Sequence, residues 1–384
     1  MTVDWKIALE SEPVGERRHV ASICCGIEVY RQNRSLILIP GERLRVLPSG
    51  HYNKGFVQHP GAIVNTTSMG EKVEMSIMGQ PLSVNDEFTA GCLSKIGLDP
   101  ETSVAFGTAA HMDNACVATV LSEKGVRVSA VVTGGVRGNG GRAGDPATFD
   151  EAEREYSWKS GTIVIIVAVE AAMTDGALFD AMLTATQAKS SVLQELMARS
   201  LYSKGVATGS GTDQVGIACL AHADGLVKSA GPSTDIGDAI ARCVREALFE
   251  ALDLQSGMSL RTQCDAYVAM SRLGISEKSV HDAIRYPATM DDLIRAERRM
   301  RSDPHVAAVV YSAAKVVDDV RDGLLDGESG LCLVRDMLVA SLLEEGDLDH
   351  MTSLLMDDAS SPEECIVVAL AAVLRRMALQ EVSA

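Results

Sequence analysis

The sequence predicts an α+β N-terminal domain, a mixed β-sheet layered with helices, followed by an all-α C-terminal domain. Strand-like runs rich in β-branched residues alternate with Gly-rich turns and helical segments up to about residue 252. Beyond that point only helical periodicity remains, and acidic residues increase. Since a chain of 384 residues exceeds one average domain, we assign residues 1–255 to the first domain and 256–384 to the second.

Apolar runs predict the strands of the first domain. The run Thr162–Val169 (TIVIIVAV) is apolar throughout, which is typical of a strand buried on both faces. A polar turn at Arg31–Arg34 separates the first two runs. The predicted strands are Val20–Tyr30, Ser35–Ile39, Ala62–Thr66, Ser103–Thr108, Val126–Val132, Thr162–Val169 and Gln214–Leu220.

Helices are predicted where apolar residues recur about every 3.6 positions. Asn114–Lys124 has this spacing between two predicted strands, and Asp235–Leu252 has it over a longer stretch. After Thr174 and Asp175, which can cap a helix, the same period runs through Met197. The helices predicted for the second domain are Cys264–Leu273, Met290–Ser302, Val306–Leu325, Cys332–Glu345 and Pro362–Leu379.

The composition restricts the partners and the location of the protein. A formal net charge of −17 argues against a nucleic-acid backbone or an anionic membrane as the main partner, because both require clustered Lys and Arg. No segment reaches the roughly 18 apolar residues of a membrane span, and the N-terminus lacks a secretory pattern. Nine cysteines without CxxC spacing are typical of reduced thiols. We therefore expect a cytoplasmic protein with a small-molecule substrate, and homo-oligomerisation stays open.

A Gly-rich segment follows the strand Val126–Val132, and pockets form where strands end. Thr133–Pro146 (TGGVRGNGGRAGDP) holds six glycines within twelve residues, so its backbone can approach a ligand closely. Part of it, Gly138-x-Gly140-x-x-Ala143, also matches a dinucleotide fingerprint, which would indicate a nicotinamide-dependent oxidoreductase. That fold needs an apolar helix at this point, whereas the polar, Pro-broken DPATFDEAEREYSWKS follows. A purely structural loop is the plainer alternative.

Two further polar segments adjoin predicted elements. Ala207–Asp213 (ATGSGTD) precedes a strand, and its simplest interpretation is a tight turn in which Asp213 binds its own backbone. Gly231–Gly237 precedes a helix, for which Thr234 or Asp235 would be the N-cap.

Histidines and amides mark two more places. His111 lies beside a predicted strand end, two residues before an acid, although a lone histidine is more often structural than catalytic. His51, Asn53, His59 and Asn65 group in the polar stretch HYNKGFVQHPGAIVN, which would line a site or form an ordinary loop. The sequence contains no HExxH, GxSxG, P-loop or paired Cys/His spacing. It therefore gives no direct support for a zinc site or a Ser-His-Asp hydrolase.

Taken in order, four blocks of the sequence resemble the adenosylcobinamide amidohydrolase (CbiZ-type) family. The Gly-rich block at Thr133–Asp145 is similar to that family's TAGVSNAxRAGD. The family's GTINI strand and TATEAK helix correspond to Gly161–Ile165 and Thr184–Lys189. Its ATGTGTD block matches Ala207–Asp213 almost letter for letter, and its GTHSxLGExI block corresponds to Gly231–Ile240.

The resemblance covers roughly residues 15–252 and leaves the helical domain outside. It implies hydrolysis of the amide that joins a propionyl side chain of the corrin ring to aminopropanol in adenosylcobinamide. Adenosylcobyric acid would be released and would re-enter coenzyme B12 assembly, a step of corrinoid salvage. The cobalt-containing corrinoid is then the substrate, and no certain cofactor is implied. Gln187 stands where the family has Glu, and the Gly231–Ser233 stretch lacks the family's His.

The residues shared with the family imply a division of labour for amide hydrolysis. Asp145 or Asp213 would activate water and return the proton, and His111 is a further candidate. Backbone N–H groups of Gly134–Gly141 would bind the oxyanion or the corrin's peripheral amides, and Lys189 would pair with an acid or position the substrate. The catalytic candidates are Asp145, Asp213, His111 and Thr133. The substrate-binding candidates are Asn65, Gly134, Gly135, Asn139, Gly144, Gln187, Lys189, Thr208, Gly209, Gly211 and Thr212. One hydroxyl among Thr133, Thr208, Ser210 and Thr212 would be the nucleophile of a covalent route.

Three alternatives to this activity stay open. In the first, the chain hydrolyses a different amide. In the second, it is a non-catalytic corrinoid-binding or regulatory homologue whose helical domain is an interaction module. The third alternative is the oxidoreductase, which failure to bind NAD would remove. Binding of a corrinoid without release of product would separate the non-catalytic homologue from both hydrolases.

Overall fold

A computed structural model describes residues 4–50, 52–53, 55–69, 82–147, 149–150, 155–156, 161–284, 289–344 and 356–382. The chain divides into two compact units, Met1–Ser259 and Leu260–Ala384. The first unit mixes strands and helices, and the described residues of the second are helical. The α+β class with a helical C-terminal region is confirmed.

Most strands of the first unit lie where β-branched runs occur in the sequence. They are β1 Arg18–Ile23, β2 Ile27–Gln32, β3 Ser35–Ile39, β4 Leu44–Pro48, β5 Val57–Gln58, β6 Ala62–Thr67, β7 Ser103–Thr108, β8 Cys116–Leu121, β9 Arg127–Gly134, β10 Gly140–Gly141, β11 Phe149–Asp150, β12 Glu155–Tyr156, β13 Ile163–Met173, β14 Gly209–Ser210, β15 Gln214–Leu220 and β16 Leu226–Val227. The helices of this unit are α1 Trp5–Ser11, α2 Leu82–Lys95, α3 Asp175–Glu195 and α4 Asp235–Ser256.

Two main sheets carry this unit, where the sequence predicted one. The smaller has the order β1-β2-β3-β6-β7, in which β6 and β7 are parallel and the other described neighbours are antiparallel. The larger has the order β5-β4-β15-β13-β9-β8, with β16 beside β13. In it β13 runs parallel to β15 and β16 but antiparallel to β9. Both sheets are therefore mixed.

The layers follow from the alternation of side chains along each strand. Val164 and Ile166 of β13 belong to the core between the two sheets, together with Phe106 of β7. Ile165 and Val167 belong to the core on the other face, which α3 and α4 cover. Helix α2 covers the outer face of the smaller sheet. Because both faces of β13 are covered, its run TIVIIVAV is apolar throughout.

Two predicted elements of the first unit are wrong. Val20–Tyr30 is not one strand, because Cys25 has a φ of 60° in a short 3-10 turn that separates β1 from β2. Asn114–Lys124 is not a helix, because most of it forms β8, which pairs antiparallel with β9. Its apolar spacing suits a helix, but the neighbouring strand supplies the partner that decides the conformation.

Other predicted bounds are confirmed. Strands β3, β7 and β15 begin and end at the predicted residues. Thr174 caps α3 by accepting a hydrogen bond from Ala177 N–H at 3.2 Å, and Thr234 caps α4 through Gly237 N–H at 3.0 Å. Both helices therefore start where a hydroxyl side chain satisfies their first free N–H groups.

The helices of the second unit pack around an aliphatic core of their own. They are α5 Leu260–Gln263, α6 Ala266–Leu273, α7 Glu277–Ala283, α8 Met290–Arg301, α9 Pro304–Arg321, α10 Gly327–Leu342 and α11 Pro362–Val382. An ion pair between Arg272 and Asp318, 2.7 Å apart, links α6 to α9. Across the described residues, no helix combines the length and the apolarity needed to cross a membrane.

We expect Gly216→Ala to destabilise the packing of the two sheets. A Cβ at Gly216 would lie 2.5 Å from Cζ of Phe106, and overpacking of this kind costs about 1–3 kcal/mol. Urea denaturation would measure the loss in the free energy of unfolding. Gly107→Ala is the control, because a Cβ there meets no atom within 4 Å. Adding Phe106→Leu to Gly216→Ala should recover part of the loss, and failure to recover any would contradict the clash.

Candidate functional site

The Gly-rich segments meet at one end of the larger sheet. Strand β9 ends at Gly134 opposite Ile163, the first residue of its antiparallel neighbour β13. Strand β15 starts at Gln214 beside Val164. The end of β9 and the starts of β13 and β15 therefore lie at one edge, which brings the loop after β9 next to the loop before β15.

Hydrogen bonds join these two loops. The short strands β10 and β14 pair antiparallel, with Gly140 opposite Ser210. The hydroxyl of Thr208 accepts from Ala143 N–H at 2.9 Å, and Thr208 N–H donates to the carbonyl of Gly141 at 2.9 Å. Residues 140–143 and 208–210 are thus held together. We call this region, from Thr133 to Asp145 and from Ala207 to Asp213, the loop cluster.

An ion pair between Lys189 and Asp213 lies at the base of the loop cluster. Their side chains are only 9% and 10% exposed. Asp213 Oδ1 also accepts from Ile163 N–H at 3.1 Å and from Ser210 Oγ at 2.6 Å, while Oδ2 accepts from Ser210 N–H at 2.9 Å. Four donors, the Lys189 ammonium among them, thus satisfy this carboxylate.

Local sequence explains how the pair forms. Asp213 lies two residues before Val215 and four before Ile217, both of which face α3 and α4. Side chains alternate between the two faces along β15, so Asp213 points to the same side. Lys189 lies four residues after Ala185 and four before Leu193, and both are buried on the inner face of α3. A strand and a helix therefore each present one charge to the same buried place.

Asp145 fixes the far end of the Gly-rich loop. Its Oδ2 accepts from Arg142 N–H at 2.7 Å and from Ser200 Oγ at 2.5 Å. Burial alone would raise the pKa of Asp145, but hydrogen bonds from Ser200, Ser203 and the Arg142 N–H outweigh it and lower that pKa. The carboxyl is therefore ionised at neutral pH.

Asn139 connects the Gly-rich loop to the start of β13. Its Nδ2 donates to the carbonyl of Gly161 at 3.0 Å, and Tyr202 donates its hydroxyl to Asn139 Oδ1 at 2.8 Å. Thr212 Oγ1 also donates to the carbonyl of Gly161, at 3.2 Å. Sequence reasoning missed Ser200 and Tyr202. The only signal available was their place in a polar turn, SLYSKG, just before the ATGSGTD block.

Thr133 and Asn65 lie on the opposite face of the larger sheet from the ion pair. Asn65 of β6 donates from Nδ2 to Thr133 Oγ1 of β9 at 2.9 Å, so this hydrogen bond crosses between the sheets. The two residues are 2% and 1% exposed. Thr133 is therefore much less accessible than Thr208, Ser210 and Thr212, which are partly exposed in the loops.

His111 lies beside this edge but is not hydrogen-bonded to the ion pair. Its backbone N–H donates to Gln255 Oε1 at 3.0 Å, and Gln255 also lies against Gly135. His111 Nδ1 accepts from Asp113 N–H at 3.2 Å. His111 is exposed.

The remaining predicted residues are placed as follows. Gln187 is exposed and lies two residues before Lys189 on α3, about 200° around the helix, so it faces away from the ion pair. Gly134 packs against Leu248 of α4, and Gly144 and Gly211 are exposed in the loops. His51 lies outside the described residues.

The loop cluster offers carboxylates, hydroxyls and backbone N–H groups. Groups of these kinds can polarise a carbonyl and move a proton. Within the described ranges, no three His, Cys, Asp or Glu side chains are grouped as metal ligands would be. Strand β9 runs antiparallel to β13, whereas the dinucleotide fold needs a parallel strand-helix-strand unit after its Gly-rich loop. The oxidoreductase alternative loses its only support.

We expect Gly209→Ala to disrupt the ion pair. A Cβ at Gly209 would lie 2.6 Å from Lys189 Nζ and closer still to Asp213 Oδ2, so the pair must separate or the loop must shift. The free energy of unfolding should fall by about 1–3 kcal/mol. Gly211→Ala is the matched control, because its nearest neighbours, on Asn139, are 3.6 Å away. Equal stability of the two variants in thermal unfolding would contradict the prediction.

Comparisons with known proteins bear on the same region. The model of the adenosylcobinamide amidohydrolase family matches residues 21–260. The chain is 33% identical over 181 residues to the uncharacterized protein MJ1613 of Methanocaldococcus jannaschii. The matched region covers 44% of this chain and 69% of that protein. The crystal structure of the PH0078 protein from Pyrococcus horikoshii OT3 is 12% identical, with a TM-score of 0.26, over 62% of this chain and 81% of that one.

The family match spans more than half of the chain. It includes the whole loop cluster, helix α3 with Lys189, and strand β6 with Asn65. The resemblance found in the four sequence blocks is thereby confirmed. The chain belongs to the adenosylcobinamide amidohydrolase family.

Proposed function

We propose that this protein hydrolyses the amide between the corrin propionyl side chain and aminopropanol in adenosylcobinamide, releasing adenosylcobyric acid. The observation that carries the proposal is the family match across residues 21–260, which takes in every block of the loop cluster. An amidohydrolase of this family acts on a corrinoid, and the reaction would serve corrinoid salvage in the cytoplasm.

In this proposal Asp145 acts as the base and Asp213 as a positioning residue. Asp213 already accepts four hydrogen bonds, so it has little capacity left to bind the attacking water. Asp145 is ionised and borders the partly exposed end of the Gly-rich loop. It would take the proton from water and return it to the aminopropanol nitrogen as the C–N bond breaks.

Backbone N–H groups at the tip of the Gly-rich loop would stabilise the oxyanion. Gly135 and Gly140 use their N–H groups within the protein, donating to the carbonyls of Thr162 and Val136 at 3.0 and 2.7 Å. Arg137 and Gly138 lie between them and are exposed. Their N–H groups are therefore the better candidates for the developing negative charge.

The replacement of the family's Glu by Gln187 is compatible with an active enzyme. Gln187 is exposed and faces away from Lys189, so the change leaves the hydrogen bonds of the loop cluster intact. An amide cannot titrate as a base, but in this proposal no step needs one at that position.

The experiment that tests the function is incubation of the purified chain with adenosylcobinamide, and separately with cobinamide. Chromatography would detect the corresponding cobyric acid. Release of product supports the proposal. A shift in the corrinoid absorption spectrum without product would favour the non-catalytic homologue, and the absence of both would leave hydrolysis of a different amide.

We expect Asp145→Asn to lower turnover by at least about a hundredfold, since general-base catalysis contributes about 10²–10⁴. Initial rates of product release measure this effect. The matched control is Asp180→Asn, because Asp180 also accepts from a serine hydroxyl, that of Ser229 at 2.8 Å, and from a backbone N–H, that of Ala230 at 3.3 Å. Asp180 lies on α3 outside the loop cluster, so its variant should keep the wild-type rate. Equal rates of wild type and Asp145→Asn would remove Asp145 as the base.

The pKa of Asp145 also predicts how stability depends on pH. A carboxyl whose pKa is lowered by folding stabilises the protein above its unfolded value of about 3.9, and this contribution is lost as pH falls through the folded value. Asp145→Asn should therefore lower the melting temperature at pH 7, and the difference from wild type should shrink below about pH 4. A difference that stayed constant between pH 7 and pH 3 would contradict this assignment.

A further inference from the structure

Four polar side chains gather between the two sheets, at the end where the loop cluster begins. Asn65 and Thr67 lie two residues apart on β6 and therefore share a face. Thr108 is the register partner of Thr67 on β7, and Thr133 of β9 accepts the hydrogen bond from Asn65. We call these four residues the inter-sheet polar end.

The three threonines of the inter-sheet polar end all accept hydrogen bonds. Thr67 accepts from Met69 N–H at 3.1 Å, and Thr108 accepts from Ala110 N–H at 3.0 Å. Thr133 accepts from Asn65 Nδ2 at 2.9 Å. A hydroxyl that accepts one hydrogen bond still has its own hydrogen to donate. Within the described part of the chain, none of the three hydroxyls donates to a protein acceptor. Each can therefore donate to a ligand.

Asn65 supplies the opposite kind of group. Its Nδ2 is used by Thr133, but its Oδ1 receives no hydrogen bond from any described residue. The residue is only 2% exposed, so water outside the protein cannot easily compensate. Buried side-chain oxygens in native proteins nearly always have a partner. The unpaired Oδ1 is therefore available to accept a hydrogen bond from an N–H group of a ligand.

We propose that the inter-sheet polar end binds a carboxamide arm of the substrate. The arm's N–H would donate to Asn65 Oδ1, and its carbonyl would accept from the threonine hydroxyls. One acceptor beside several donors is the complement of an amide, which carries both kinds of group. The inference rests on the proposed function for the identity of the carrier, a corrinoid, whose ring bears carboxamides at its periphery.

A charged group fits this place poorly. None of the four side chains is ionisable, and an unpaired charge in a buried site costs far more than a neutral amide that finds its hydrogen bonds. A carboxylate would also set its oxygen against Asn65 Oδ1 with no hydrogen between them. A methyl ester is similar in size to a carboxamide but has no N–H, so it isolates the contact to Asn65.

The test compares wild type and Asn65→Leu, which is of similar size, with two ligands. Each full-length chain would be titrated with cobinamide and with a corrinoid whose peripheral carboxamides are methyl esters, following the corrinoid absorption. We expect the loss of affinity on going from amide to ester to be about tenfold smaller in Asn65→Leu than in wild type, which is the value of one hydrogen bond. An equal loss in the two chains would overturn the proposal.

Thr66→Val is the matched control. Thr66 is the neighbour of Asn65 on the other face of β6, and its hydroxyl is hydrogen-bonded to Ser35 Oγ at 3.0 Å. This variant should lower the melting temperature and keep the cobinamide affinity. Asn65→Leu removes the unpaired oxygen together with the donor to Thr133, so it should lower both the melting temperature and the cobinamide affinity.

The remaining outcomes are also decisive. If Asn65→Leu lowers the melting temperature without changing the affinity for cobinamide, Asn65 is a structural residue and the proposal is overturned. If Asn65→Leu does not fold, Asn65→Val, which also lacks the amide oxygen and suits a strand, takes its place in the same comparison. A wild-type chain that binds no corrinoid would overturn the proposed function and, with it, the corrinoid as carrier of the arm.

Discussion

The Lys189 ammonium and the Asp213 carboxylate meet where α3 passes the start of β15, almost out of contact with water. A buried ion pair gains little stability by itself, but removing one partner leaves an uncompensated charge and costs about 3–5 kcal/mol. Asp213 also holds Ser210 and the first residue of β13. The position of the ATGSGTD block, and through it the pairing of β14 with the Gly-rich loop, therefore depends on this one contact.

The hydrogen bonds in and beside the loop cluster distinguish side chains that hold the loops in place from groups that remain available to a ligand. Both carboxylate oxygens of Asp213 accept hydrogen bonds, and the amide nitrogen and oxygen of Asn139 are both hydrogen-bonded. These contacts hold the loops in place before a ligand binds. Preorganised donors and acceptors need no rearrangement during a reaction. By contrast, Asn65 keeps an unpaired oxygen, and Arg137 and Gly138 lie exposed at the loop tip. Rigid loops around a few unsatisfied groups suit the amide-bearing substrate that we propose.

The second unit lies beyond the residues that the family model matches. The family match ends at residue 260, and the second compact unit begins at Leu260. The unit has its own aliphatic core and an internal ion pair between Arg272 and Asp318. The residues that the family model matches therefore lie almost entirely in the first unit.

The sequence by itself determined what depends on neighbours along the chain. The bounds of β3, β7 and β15 and the threonine caps of α3 and α4 follow from local patterns, and the ATGSGTD block marked the loop cluster. Tertiary structure decided what depends on distant partners. Residues 116–121 became β8 because β9 pairs with them, and one predicted sheet became two. Lys189 lies on the buried face of α3, whereas Gln187, two residues earlier, lies on the exposed face. Asn65 and Thr133 are far apart in sequence and contact each other only because the two sheets pack together. Burial and hydrogen bonding between segments far apart in sequence leave no periodic signal, so only the folded chain shows them.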